Sequence, residues 1–213
     1  MPFADRADAG RQLARRLAHL HGSDVVVLAL PRGGVPVAAP VARALDAPLD
    51  VIVVRKLGVP GRPELAMGAV GEDGAVVRND PVLQALQVAA TGFALVEQAE
   101  RGELARRTAV VRAVRAREPL AGRTAVVVDD GIATGSTARA ACAVARAQGA
   151  GRVVLAVPVC SADAAESLAT AVDELVTVET PAWFGWVGRH YADFRPTSEE
   201  DVLAVLRGAQ PAE

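Results

Sequence analysis

Two hundred and thirteen residues, 51% hydrophobic, 23% charged and only 3% aromatic, describe a globular chain with material for one core and a small appended lobe. The 23 basic and 25 acidic residues leave a net charge of −2, which excludes a global basic field for nucleic acid or anionic lipid, so any phosphate binding must be local. No uncharged apolar run nears the roughly 18 residues of a membrane span, Met1 to Arg6 carries no apolar signal core, and Cys142 and Cys160 have no partner at zinc spacing, so a cytoplasmic protein with two buried, reduced thiols is expected.

Residues 7–21 predict a helix, with Leu13, Leu17 and Leu20 on one stripe. An apolar strand at 24–30, the loop Pro31-Arg32-Gly33-Gly34, a helix running to Leu45 and a second strand at 50–55 follow. Further strands are predicted at 124–129, 152–158 and 174–178, with helices at 136–149 and 162–172 between them. This alternation indicates an α/β fold of three layers, α/β/α, around a mostly parallel sheet of about five strands.

The stretch 57–123 is too long for a simple crossover. Its glycine-rich first part, Gly58 to Arg78, predicts a β-hairpin excursion beside the sheet, and 81–117 is helical. Arg101, Arg106, Arg107, Arg112, Arg115 and Arg117 crowd its end, as a solvated face or as an arm that carries positive charge to a phosphate. Lys56 is the sole lysine among the 23 basic residues. From 180 the chain changes character and predicts a small C-terminal hood: Trp183, Phe184, Trp186, Tyr191 and Phe194 could form a satellite core, a dimer contact or a stacking surface for a planar ligand. A last helix, 198–207, starts at the cap Ser198 with Glu199, Glu200 and Asp201 in its first turn. The whole of 1–213 reads as one domain.

The segment 126–137 carries the chemistry. A buried strand delivers Asp129 and Asp130 to its end, and Gly131, Ile132, Ala133, Thr134, Gly135, Ser136 and Thr137 then lead into a helix. Backbone N–H groups at a helix start, with three hydroxyls beside them, suit a phosphate monoester. The carboxylates would repel that phosphate and suit a sugar diol or metal-bound water. A Walker A loop would need lysine where Gly135 stands, and a phosphoacceptor receiver would place its lysine downstream, whereas Lys56 lies upstream.

The acidic pair, the short Gly/Thr/Ser loop and the helix closely resemble the diphosphate-sugar motif of the type I phosphoribosyltransferases. Pro31 to Val35, Arg55 to Gly58 and Pro63 to Gly68 extend the resemblance over nearly the whole chain, toward a little-characterised bacterial subgroup. The resemblance implies transfer of phosphoribose from 5-phosphoribosyl 1-diphosphate to an unidentified nitrogenous base, or the reverse, in nucleotide metabolism, by a pentosyltransferase that is a homodimer. Asp129 and Asp130 would meet the ribose hydroxyls and, through water, Mg²⁺. Arg32, Gly33, Gly34 and Lys56 would face the diphosphate, and residues 131–137 the 5-phosphate. A cis peptide bond is expected at Pro31–Arg32. Several purine-using members carry an acid where Ala133 stands, so the loop does not name the base. Trp186 and Tyr191 are the candidates for stacking on it, and His190 for touching ligand. The competing function is a non-catalytic protein that senses phosphoribosyl diphosphate or a nucleotide.

Overall fold

The structure, a computed structural model, describes residues 2–208. Helix α1 (Arg6–Arg16) leads to β1 (Val25–Ala29), α2 (Gly34–Leu45) and β2 (Leu49–Val51). Strands β3 (Val54–Val59), β4 (Arg62–Gly71) and β5 (Val76–Arg78) precede α3 (Asp80–Ala85) and α4 (Ala90–Arg112). The chain closes with β6 (Thr124–Val128), α5 (Ser136–Ala147), β7 (Arg152–Val159), α6 (Ala162–Ala169), β8 (Glu174–Glu179) and α7 (Glu199–Gly208).

Five strands form one parallel sheet in the order β2-β1-β6-β7-β8. Its valine-rich strands β1, β6 and β7 are buried on both faces over most of their length, and the two faces separate by strict alternation. Val25, Val27, Val126, Val128, Val154 and Ala156 share a core with α1 and α2. Val26, Leu28, Val127, Val153 and Leu155 pack with α5 and α6. The three predicted layers are therefore present.

The predicted strand 50–55 is two strands. Ile52 still donates to the Ala29 carbonyl at 3.0 Å, but from Val54 the chain pairs antiparallel with β4, and β3-β4-β5 make a separate three-stranded sheet. An unbroken apolar run does not reveal where its partner changes. The consequence is functional, because Arg55 and Lys56 ride on the small sheet. The predicted helix 81–117 is likewise divided, at a turn where Gln87 takes a φ of +50°.

The arginines at the end of α4 are held by carboxylates. Arg101 pairs with Glu97, Arg106 and Arg107 with Glu103, Arg115 with Glu118 and Arg117 with Asp73. Arg112 is enclosed: it donates to Asp50 at 2.7 Å and to both Glu72 oxygens at 2.7 and 2.9 Å, tying α4 to β2 and to the turn after β4. Among the described residues no helix is long and apolar enough to cross a membrane. Both cysteines are free and buried, and burial pushes the Cys142 thiol up to about 12 and that of Cys160 to about 11.

Candidate active site

In this sheet the winding reverses between β1 and β6, which are direct neighbours with Ala29 opposite Val128. Open parallel sheets bind ligands beyond the strand ends at such a switch point. Here the loop after β1 and the loop after β6 meet there. The Pro31–Arg32 bond is cis, as expected. Gly33 lies so close to the second carboxylate that a Cβ placed on it would fall 2.1 Å from Asp130 Oδ2.

The acidic pair is ordered from several directions. Asp129 accepts the N–H of Asp130 through Oδ1 at 2.8 Å, and Asp130 Oδ2 accepts from Arg6 Nε at 2.8 Å. The Tyr191 hydroxyl donates to the Asp130 carbonyl at 2.5 Å. Burial, and after it the neighbouring Asp130 charge, push Asp129 above the usual carboxylate range. Asp130 is also raised by burial, while Arg6 opposes the rise.

Beyond the pair, residues 131–133 are pinned to the end of β7. Ile132 donates to Val159 at 2.9 Å, Ser161 N–H donates to Ile132 at 3.0 Å, and the Ser161 hydroxyl donates to the Ala133 carbonyl at 2.7 Å. The same hydroxyl caps α6 by accepting from Ala164 N. Ser161→Ala removes both bonds and is expected to cost about 1 kcal/mol in urea unfolding. An unaltered midpoint would assign the loop's position to other contacts.

Gly135 begins α5 with a φ of +76° and a Cβ position only 2.8 Å from Leu168, and no side chain caps the helix. Thr134 and Thr137 are exposed beside the opening turn and Ser136 is half-exposed. Two proposed contacts need correction. Ile132 is buried and its N–H is occupied, so it anchors the loop rather than donating to a phosphate. Gly34 is buried with its N–H on Leu30, so it contributes room and not a donor.

Arg32, Lys56 and Thr137 open onto one cleft of about 1010 Å³. Lys56 is held by the Glu64 carbonyl at 3.4 Å and by the Glu64 carboxylate. The opposite wall is α4 and α7, through Val96, Val110, Val202 and Leu203. The acid pair stands outside this lining, next to Arg6. The aromatic segment also stands outside it.

That segment divides into two parts. Tyr191, 6% exposed, packs between Phe3 and Phe194, with ring centroids 5.3 and 5.0 Å away, so its faces are closed to a planar ligand. This corrects its assignment to base stacking; the satellite-core reading holds for it. Trp183 and Trp186 remain 64% and 63% exposed, and Arg189 lies 3.8 Å over the Trp183 ring. His190 is turned to the Phe184 carbonyl at 2.9 Å. Arg6, which composition and periodicity do not single out, is brought to the pair by α1.

A five-stranded parallel sheet with two loops meeting beyond its switch point defines an α/β protein of the open parallel-sheet class. Residues 5–195 match the phosphoribosyl transferase domain, and the chain belongs to that family. A Mycobacterium tuberculosis H37Rv protein named "Putative phosphoribosyl transferase Rv0571c" is 57% identical over 204 residues, which are 96% of this chain and 46% of that protein. A counterpart from strain CDC 1551, "Putative phosphoribosyl transferase MT0597", matches equally. The chain thus spans less than half the length of the curated relatives it matches. The crystal structure of TT1426 from Thermus thermophilus is 43% identical, with a TM-score of 0.85 over 99% of this chain and 100% of that one.

Proposed function

We propose that the chain transfers the phosphoribosyl group between 5-phosphoribosyl 1-diphosphate and a nitrogenous base, with diphosphate as the other product or substrate. The observation that carries this reading is the meeting of Gly33 with Asp130 at the switch point, which brings the loop of Arg32 against the acid pair that precedes the uncapped start of α5. Serine and threonine hydroxyls at 134–137 and the first N–H groups of α5 receive the 5-phosphate. Asp129 and Asp130 accept hydrogen bonds from the ribose 2- and 3-hydroxyls and offset positive charge growing at the anomeric carbon. Arg32 and Lys56 take the charge that builds on the leaving diphosphate. The base enters from the cleft between the small sheet, α4 and α7.

Mg²⁺ fits this donor set. Among the described residues no group of three or more His, Cys, Asp or Glu side chains is arranged to hold a metal, and Mg²⁺ favours one or two carboxylates together with water and substrate phosphates. Asp129 and Asp130 would hold it through water. Bound there, the ion would neutralise diphosphate charge.

Asp129→Asn and Asp130→Asn are each expected to weaken binding of the diphosphate sugar about ten- to hundredfold, as charge-assisted hydrogen bonds are lost, with the fold intact. Calorimetry with 5-phosphoribosyl 1-diphosphate and Mg²⁺ checks the affinity, and diphosphate release across a panel of bases checks turnover. Saturable release with a base supports the reading. Binding without release for any base favours a regulatory binding protein instead, and no binding at all overturns both.

A further inference from the structure

We infer that Arg6 is a positioning residue for the sugar contact: its guanidinium fixes the Asp130 carboxylate in the orientation that meets the ribose diol. The inference rests on the role of Asp130 proposed above. Arg6 opens α1, where a cation opposes the helix macrodipole, so its place is explained by what it touches rather than by the helix it begins. Nε donates to Asp130 Oδ2 at 2.8 Å and Nη1 to the Arg195 carbonyl at 2.8 Å. The guanidinium carbon lies 3.9 Å from the centre of the Phe194 ring. Only 11% of the Arg6 side chain and 15% of that of Asp130 are exposed. A planar cation held by a carboxylate, a carbonyl and a ring face has little rotational freedom left, and it passes that order to its partner.

The backbone beneath it is equally fixed. Phe3 donates to His190 at 2.8 Å and accepts from Ala192 at 2.8 Å, and Asp193 donates to Ala4 at 3.0 Å. Tyr191 holds the Asp130 carbonyl from the same segment. Asp130 Oδ2 is thus confined between Arg6 and Gly33, while its other oxygen and Asp129 Oδ2 are left as the acceptors for two adjacent hydroxyls. Arg6 also offsets one of two adjacent negative charges, which favours keeping both carboxylates close to a phosphorylated sugar.

The test compares ribose 5-phosphate, 2-deoxyribose 5-phosphate and inorganic diphosphate by calorimetry with Mg²⁺ present. The parent is expected to prefer the ribose ligand about tenfold. Arg6→Met is expected to bring that preference near unity and to leave diphosphate affinity unchanged, a selective loss that a merely loosened fold would not produce. Arg6→Lys restores part of the preference, because lysine returns the charge without the fork or the ring contact. Asp130→Asn removes the preference too, and adding Arg6→Met to it changes nothing further. If Arg6→Met does not fold, Arg6→Lys and Phe194→Leu carry the comparison. Preference lost in Asp130→Asn but kept in the Arg6 and Phe194 variants overturns the positioning role alone, as does a further loss in the double variant. Preference kept in Asp130→Asn overturns the diol reading and the inference together.

Discussion

Arg112→Met is expected to lower the melting temperature by about 10 °C. Asp50 is 1% exposed and Glu72 8%, and both depend on Arg112. Asp50 also receives the N–H of Val51 at 2.7 Å and of Glu118 at 3.0 Å, so it cannot turn outward. Methionine would fill the volume of the arginine stem and leave two buried carboxylates without their cation. Stranding a buried charge costs about 3–5 kcal/mol, and a chain of this size loses about 2–4 °C per kcal/mol. The triple change Arg112→Met, Asp50→Asn, Glu72→Gln should recover most of the loss, because neutral partners need no cation. Thermal melts by circular dichroism decide it: a single variant within about 2 °C of the parent would show the cluster to be incidental. The same bond holds α4, one wall of the cleft, to the main sheet, so on the proposed function the variant should also bind the acceptor base less well.

Gly33→Ala should weaken binding of 5-phosphoribosyl 1-diphosphate at least about tenfold while the protein stays folded. Gly33 has φ −63° and ψ −32°, a helical conformation that alanine adopts without strain. The demand for glycine is one of space alone. A Cβ there would lie 2.1 Å from Asp130 Oδ2 and 2.7 Å from its carboxyl carbon. Asp130 must then swing away, and in doing so it leaves Arg6. Calorimetry with the diphosphate sugar and Mg²⁺ measures the loss. Parent-like affinity would mean that the carboxylate can move without consequence, and the acid pair would lose its proposed role.

The elements that the sequence made legible are those whose signal is local. The strands at 24–30, 124–129 and 152–158 appear as apolar runs because both of their faces are buried, and β1, β6 and β7 lie within them or overrun them by a single residue. The Asp-Asp pair and its glycine and hydroxyl loop are equally local, and β6 does deliver them to the start of α5. What stayed hidden depends on distant partners. The run 50–55 gives no sign that its second half pairs with β4. Tyr191 was open to three readings, and Phe3, at the other end of the chain, decides between them. Ile132 and Gly34 looked like phosphate donors until the carbonyls of Val159 and Leu30 were seen to occupy their N–H groups. The arginines of 101–117 could be counted, but their compensation by Glu97, Glu103, Glu118 and Asp73 depended on side-chain directions.

The hold on Asp130 also sets an order of assembly. Arg6 is separated from it by 124 residues and Tyr191 by 61, on opposite sides along the chain. During synthesis β1, β2 and β6 can associate once residue 128 has emerged, yet Arg6, which holds the carboxylate, lacks its Phe194 and Arg195 contacts until the ribosome has released the segment 191–195. Contacts of such long separation close late, because loop entropy must be overcome before they contribute. A nascent chain stalled before that segment would therefore carry most of its sheet and no organised acid pair, so a ligand of that pair is unable to stabilise it until the segment has been translated.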